Sequence, residues 1–247
     1  MYHFFVERSQ IHPESVTITG PDVNHIKNVL RMKPGEQVLI SNGEDRDYLC
    51  RLTEISADAV EAEILEEREE TSELPAKIWL FQGLPKSDKM ELIIQKAVEL
   101  GAYQIVPVAT KRAVVKLDKK KEEAKLKRWN AISESAAKQS KRLIIPEIAP
   151  VMSFDEALAF VKDFDSRCIP YECASGMDSV RQFVSQTGPG QKIAVFIGPE
   201  GGFEEIEIEK AREAGVVPVS LGKRILRTET AGLALLSVLA FHLEGGL

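Results

Sequence analysis

The chain has 247 residues, long enough for one large domain or two modest ones. Apolar residues make up 44% and charged residues 28%, the balance of an ordinary soluble globular protein. A formal net charge of −6 excludes a uniformly basic coat for nucleic acid.

In chain order, the N-terminal MYHFFVERSQ lacks the long apolar core of a signal peptide. His3–Val6 and Val16–Thr19 read as short strands, and Asp22–Leu30 as a short helix. Gln37–Ser41 and Asp47–Ile55 flank Asn42-Gly43, a strong hairpin signal. Ala59–Leu65 alternates as a further strand. So many short strands in so few residues suggest a small β-barrel. Residues 54–73 then hold nine acids and one base, and Pro75 follows. A domain boundary is expected there, with the barrel in residues 1–72 and a second domain in 73–247.

From Lys77 the rhythm changes to alternating strands and helices. Ile78–Phe81 reads as a strand, Asp88–Leu100 as a helix, Gln104–Val108 as a strand and Lys121–Gln139 as a long basic helix. Phe154–Val161 follows as a helix, Cys168–Tyr171 as a strand and Asp178–Ser185 as a helix. Lys192–Ile197 is a strand, Glu204–Ala214 a helix, Val216–Val219 a strand and Glu229–Leu243 the last helix. The alternation predicts an α/β domain with a mainly parallel sheet, whose ligand site lies beyond the carboxyl ends of the strands. Residues 111–142 hold twelve bases and four acids, which suits an RNA or DNA partner and equally a solvated helix face.

Three cysteines, Cys50, Cys168 and Cys173, form no C-x-x-C pair, so neither a disulfide framework nor a structural zinc site is expected. The four histidines, His3, His12, His25 and His242, show no metal-like spacing, and no metal is expected. No G-x-S-x-G elbow is present, which argues against a nucleophilic triad. The apolar run near Leu233–Phe241 is too short to span a bilayer. A cytoplasmic protein is the expectation.

Two irregular turns concentrate the chemistry. Each follows a short strand and opens a helix, where free N–H groups favour anionic groups. The first, Gly198-Pro199-Glu200-Gly201-Gly202, matches neither G-x-G-x-x-G nor a phosphate loop. Glu200 is placed either to contact a cationic or hydroxyl-bearing ligand or to sit in solvent as a cap. The second turn sets Leu221, Ile225 and Leu226 around Gly222, either to line a slot for a flat heterocycle or to plug the core. Thr228 is the expected N-cap of the last helix, and Glu229 its dipole partner. Arg227 has no acidic partner at helical spacing and suits an anion. Lys86, Asp88 and Lys89 follow a strand end, where substrate contact competes with a plain polar helix start. The last helix is apolar nearly all round, which demands burial on more than one side.

Four segments together carry a family resemblance: HIKNVLRMKPGE (25–36), LPKSDKMELIIQKAVELGAYQIVPV (84–108), IGPEGGF (197–203) and LGKRILRTETA (221–231). The chain resembles the RNA methyltransferases of the SPOUT superfamily, and within it the bacterial small-subunit ribosomal RNA uridine-N3 methyltransferases. The resemblance implies a C-terminal domain tied in a trefoil knot, behind a small PUA-like barrel that positions RNA. It also implies S-adenosylmethionine as cofactor and a homodimer with the site at its interface. Carried onto this chain, Glu172, Ile197, Gly198, Glu200, Gly202, Leu221, Gly222, Ile225, Leu226 and Thr230 hold the cofactor. Arg227 is the implied stabiliser of charge on the uracil carbonyls, with Glu229 and Glu200 as candidates for the base. His25, Lys27, Arg31, Lys86, Lys138, Lys141 and Arg142 are implied as contacts to ribosomal RNA. A ribose 2′-O-methyltransferase of ribosomal or transfer RNA would share the pocket, and a non-catalytic RNA-binding assembly factor would share the fold. A nucleotide hydrolase is disfavoured by the missing phosphate loop.

Overall fold

The computed structural model describes residues 1–68, 72–115, 117–172 and 176–246. Cys173, Lys116 and residues 69–71 of the acidic run lie outside these. The chain divides into two compact units, one of Met1–Glu73 with Ala137–Ile145, the other of the remainder.

In the first unit, β1 (Tyr2–Phe5), β2 (Ser15–Thr19), β3 (Gln37–Ser41), β4 (Asp47–Ile55) and β5 (Ala59–Arg68) form one sheet in the order β1-β3-β4-β5-β2. β1 runs parallel to β3, and all other pairs are antiparallel. The period-2 pattern turns Val16, Ile18, Val38, Ile40, Cys50, Leu52, Val60 and Ala62 inward, and the sheet curls about that core. Val23 and Ile26 close it from a short helical segment. That segment is not one regular helix. α1 (Pro21–Asn24) passes into a π turn at His25–Val29, where Leu30 N–H bonds back to His25 O at 2.8 Å. Ile26 is fully buried there while His25 and Lys27 stay exposed. Arg31, next in line, has φ +53°.

The second unit is built on a parallel sheet. Its strands are β6 (Lys77–Gly83), β7 (Gln104–Ala109), β8 (Glu147–Ile148), β9 (Met152–Ser153), β10 (Ser166–Pro170), β11 (Lys192–Ile197) and β12 (Val217–Val219). The order is β12-β10-β11-β6-β7-β8, with β9 also on β7. β8 and β9, two residues each, are too short to leave a pattern in the sequence. The helices are α2 (Lys89–Glu99), α3 (Lys119–Ser140), α4 (Phe154–Phe160), α5 (Asp178–Ser185), α6 (Glu205–Glu213) and α7 (Thr228–Leu243).

Alternate strand residues serve the two faces. Trp79, Phe81, Val106, Val108, Ile169, Ala194 and Phe196 share a core with Phe154, Ala157, Ile208 and Ala211 of α4 and α6. Phe81 stacks on Phe196 at 4.6 Å and 14°. The opposite face carries α7, where a Cβ on Gly232 would stand 3.4 Å from Ile197 and 3.5 Å from Leu80. No described helix is long and apolar enough to cross a membrane.

Candidate functional site

The carboxyl ends of β10, β11 and β12 open into a cavity of about 510 Å³. Its walls are the two irregular turns, Ile197–Phe203 after β11 and Ser220–Thr228 after β12, together with Pro170–Glu172, Lys89 and Ala231. This is where a parallel sheet presents a ligand site, and the volume suits a small organic molecule. Gly222 holds φ +110°, a backbone state that side chains rarely adopt, so the second turn needs glycine to bend around the cavity.

Lys89 links the turn after β11 to the start of α7. Its Nζ lies 3.1 Å from Glu200 Oε1 and 3.2 Å from Glu229 Oε2. Glu200 also accepts the Lys86 backbone N–H at 3.1 Å. The carboxylate bonds raise the Lys89 ammonium above its usual range, Glu200 first and then Glu229. Burial pushes Glu200 up, but its own backbone N–H, Lys89 and the Lys86 N–H outweigh it and hold the carboxyl low. Glu229 is held low by its own N–H at the helix start and then by Lys89, against burial. Both carboxylates are therefore ionised and poor proton acceptors near neutrality.

A buried chain of bonds fixes the start of α7. Gln82, fully buried at the end of β6, donates from Nε2 to Thr228 Oγ1 at 2.8 Å, and Thr228 donates to Gly198 O at 2.6 Å. A polar residue in the apolar run KIWLFQG is the signal that marks Gln82 in the sequence. Gly83 is needed because a Cβ there would meet Pro199 Cδ at 2.6 Å. From the loop after β7, Arg112 Nη1 donates to Gly201 O at 3.0 Å. Sequence reasoning missed Gln82, Gly83 and Arg112 and left Lys89 undecided, because their partners lie far along the chain.

Several expectations change. The N-cap of α7 is Arg227, not Thr228, whose hydroxyl is used on Gly198 instead. Arg227 is 81% exposed at its side chain and does have an acidic neighbour, Glu229 Oε1 at 4.0 Å. Thr230 is exposed and does not line the cavity, because the turn of α7 points it away. Ile225 lines the cavity but is 86% exposed, so it stands at the mouth; Leu221 and Leu226 are half-buried. Glu172, Ile197, Gly198, Glu200, Gly202, Leu221, Gly222 and Leu226 all line it.

The RNA set divides in the same way. His25, Lys27, Arg31, Lys86 and Lys141 are exposed. Lys138 pairs with Asp22 at 2.9 Å and is half-buried. Arg142 is corrected outright: it is 3% exposed, with Nε 2.7 Å from Glu73 Oε1 and Nη2 2.5 Å from Oε2. A buried guanidinium committed to a part-buried carboxylate is not placed to grip a phosphate. Among the described residues no cluster of three or more His, Cys, Asp or Glu is placed to hold a metal ion.

Comparison with known proteins agrees with this geometry. Residues 72–240 match the RNA methyltransferase domain family, and residues 18–65 the RNA methyltransferase PUA domain. The Ribosomal RNA small subunit methyltransferase E of Bacillus subtilis is 40% identical over 99% of this chain and 98% of its own length. That of Mesomycoplasma hyopneumoniae is 36% identical over 96% of this chain and 98% of its own. A crystal structure of the Neisseria gonorrhoeae enzyme of that name, bound to S-adenosyl methionine, superposes with a TM-score of 0.83 at 34% identity, covering 96% of this chain and 95% of that one.

Proposed function

The chain belongs to the ribosomal RNA small subunit methyltransferase E family of SPOUT RNA methyltransferases, and on that premise we propose that it methylates N3 of a uridine in 16S ribosomal RNA, using S-adenosylmethionine. The observation that carries the reading is the 510 Å³ cavity closed by both irregular turns at the carboxyl edge of a parallel sheet.

The lining residues fit the cofactor. Ile197, Gly198 and Gly202, with the ionised Glu200, suit a ribose and a cationic tail; Leu221, Gly222, Leu226 and Glu172 suit a flat, edge-polar heterocycle. When bound, the cofactor supplies an electrophilic methyl group on a sulfonium. The protein's part is alignment and charge. The buried Gln82–Thr228–Gly198 bonds and the Lys89 bridge hold the turn after β11 and the start of α7 at a fixed spacing, which suits an in-line transfer. Arg227, exposed at the mouth, faces the negative charge that spreads to the uracil carbonyl oxygens as N3 loses its proton. Glu200 and Glu229 are both engaged by Lys89, so in this reading neither carboxylate takes the N3 proton, which leaves to bulk solvent.

In this reading the PUA unit positions RNA through His25, Lys27, Arg31 and Lys141, with Lys86 nearer the cavity in sequence. The protein acts in the cytoplasm as a homodimer through α7. The proposal includes a knotted C-terminal chain, a reading supported by α7, which follows the edge strand β12 yet starts back beside the ends of β6 and β11. The test is transfer of labelled methyl groups from S-adenosylmethionine to purified ribosomal subunits, with the product nucleoside identified by mass spectrometry. 3-Methyluridine in the small subunit is expected; a 2′-O-methyl nucleoside would remove the assignment. Arg227→Ala should lower turnover at least about a hundredfold while calorimetric cofactor affinity survives.

A further inference from the structure

Ile225 is 86% exposed, the highest value among the large hydrophobic residues described. It sits on a cavity-lining turn, between Lys223 and Arg224 on one side and Arg227 on the other, all exposed. An apolar side chain on the lip of a ligand cavity, ringed by cations, is placed to meet whatever molecule approaches that cavity. The neighbouring charges say which. Burying Lys223, Arg224 and Arg227 in a protein interface would strip three cations of water. A nucleic acid covers the same surface while giving each cation a phosphate. Arg112, hydrogen-bonded to Gly201 O and itself exposed, adds a cation beside the first turn.

Resting on the methyltransferase reading above, we propose that Ile225 is the wedge that fills the stack vacated by the target nucleotide. Chemistry on a base edge requires the base to leave its stack, and apolar side chains inserted between base steps hold such openings. Ile225 stands on the turn that lines the reaction cavity, so opening the stack and receiving the base occur within one loop. Lys223 and Arg224 hold the phosphates beside the gap. Leu221 and Leu226 of the same turn are half-buried.

The experiment uses the full chain and two RNAs carrying the mapped target uridine, one with the base stacked in a helical segment and one with it in an unstructured strand. Ile225→Ser should lower kcat/KM on the stacked substrate by at least about tenfold more than on the unstructured one. Ile225→Leu should restore most of the difference. A 2-aminopurine beside the target should brighten when the parent protein binds and stay dim with Ile225→Ser. Equal losses on both RNAs would overturn the wedge. So would a weakened calorimetric affinity for S-adenosylmethionine, which would place Ile225 in the cofactor pocket, or a changed sedimentation mass, which would place it between two copies. A parent protein that labels neither the RNAs nor small ribosomal subunits would remove the methyltransferase reading, and the wedge with it.

Discussion

His3 is buried at 5% exposure in the first unit, with Nε2 2.6 Å from Ser41 Oγ, and Ser41 hydrogen-bonds onward to Asp47. Its Nδ1 has no partner among the described residues. Burial, then the Lys138 and Lys141 ammonium groups, lower its pKa from 6.5 to about 4. A depressed folded-state value means that the unfolded chain binds the proton first as pH falls. The stability His3 contributes is complete above about pH 6.5 and is lost on the way down to about 4, an amplitude of about 3 kcal/mol. Asp47 works against this at the acid end, since burial raises its pKa and the folded protein takes up that proton early, despite the opposing Ser41 bond. Urea denaturation should therefore show stability falling between pH 7 and 5, with a flatter profile for His3→Gln. Parallel profiles for parent and variant would dismiss the cluster as the source. Cys50 and Cys168 belong to the same class of silent groups. Burial pushes the Cys50 thiol up to about 12 and raises Cys168 as well, so neither is a nucleophile here.

The end of α3 shows how an element's boundary decides what its charges do. Lys141 takes φ +57°, and the Arg142 N–H caps Ala137 O at 3.0 Å, the left-handed termination that usually calls for glycine. This bend turns Arg142 inward onto Glu73, which also accepts the Leu143 N–H at 2.9 Å. Two adjacent bases thus have opposite settings: Lys141 is exposed, and Arg142 ties Ala137–Ile145 to Glu73 within the first unit. Lys141→Gly should raise stability by about 0.5–1 kcal/mol by relieving the left-handed strain. Arg142→Ala should lower it by about 3–5 kcal/mol, because Glu73 would lose its charge partner in a part-buried place. Chemical denaturation reads both, and a destabilised Lys141→Gly protein would show that the side chain earns its position through contacts instead.

At the scale of the molecule, α7 is the element whose apolar surface is only partly covered. Leu235, Leu236 and Leu239 are buried, while Val238 is 42% and Phe241 55% exposed. With Val180 and Val184 of α5, Ala234, Leu235 and Val238 line an apolar groove of about 420 Å³. The proposed homodimer fills it. Val238→Glu should convert a dimer to a monomer in sedimentation equilibrium and reduce methyl transfer at least about tenfold. A parent protein that is monomeric at micromolar concentration would refute the dimer.

The amino-acid sequence by itself determined most of the elements, the parallel sheet and the position of the two turns, because periodicity, Asn42-Gly43 and the glycine-bearing turns act locally. It also located most of the cavity lining, since those residues are contiguous in IGPEGGF and LGKRILRTETA. Only the tertiary structure decided which charges are free. Lys89 reaches Glu200 across more than a hundred residues, Gln82 reaches Thr228 across 146, and Arg142 closes on Glu73 across 69. Such pairings arise from packing rather than spacing, so no local pattern announces them. Exposure follows the same rule: Ile225 reads as slot lining or core plug in one dimension and stands exposed in three.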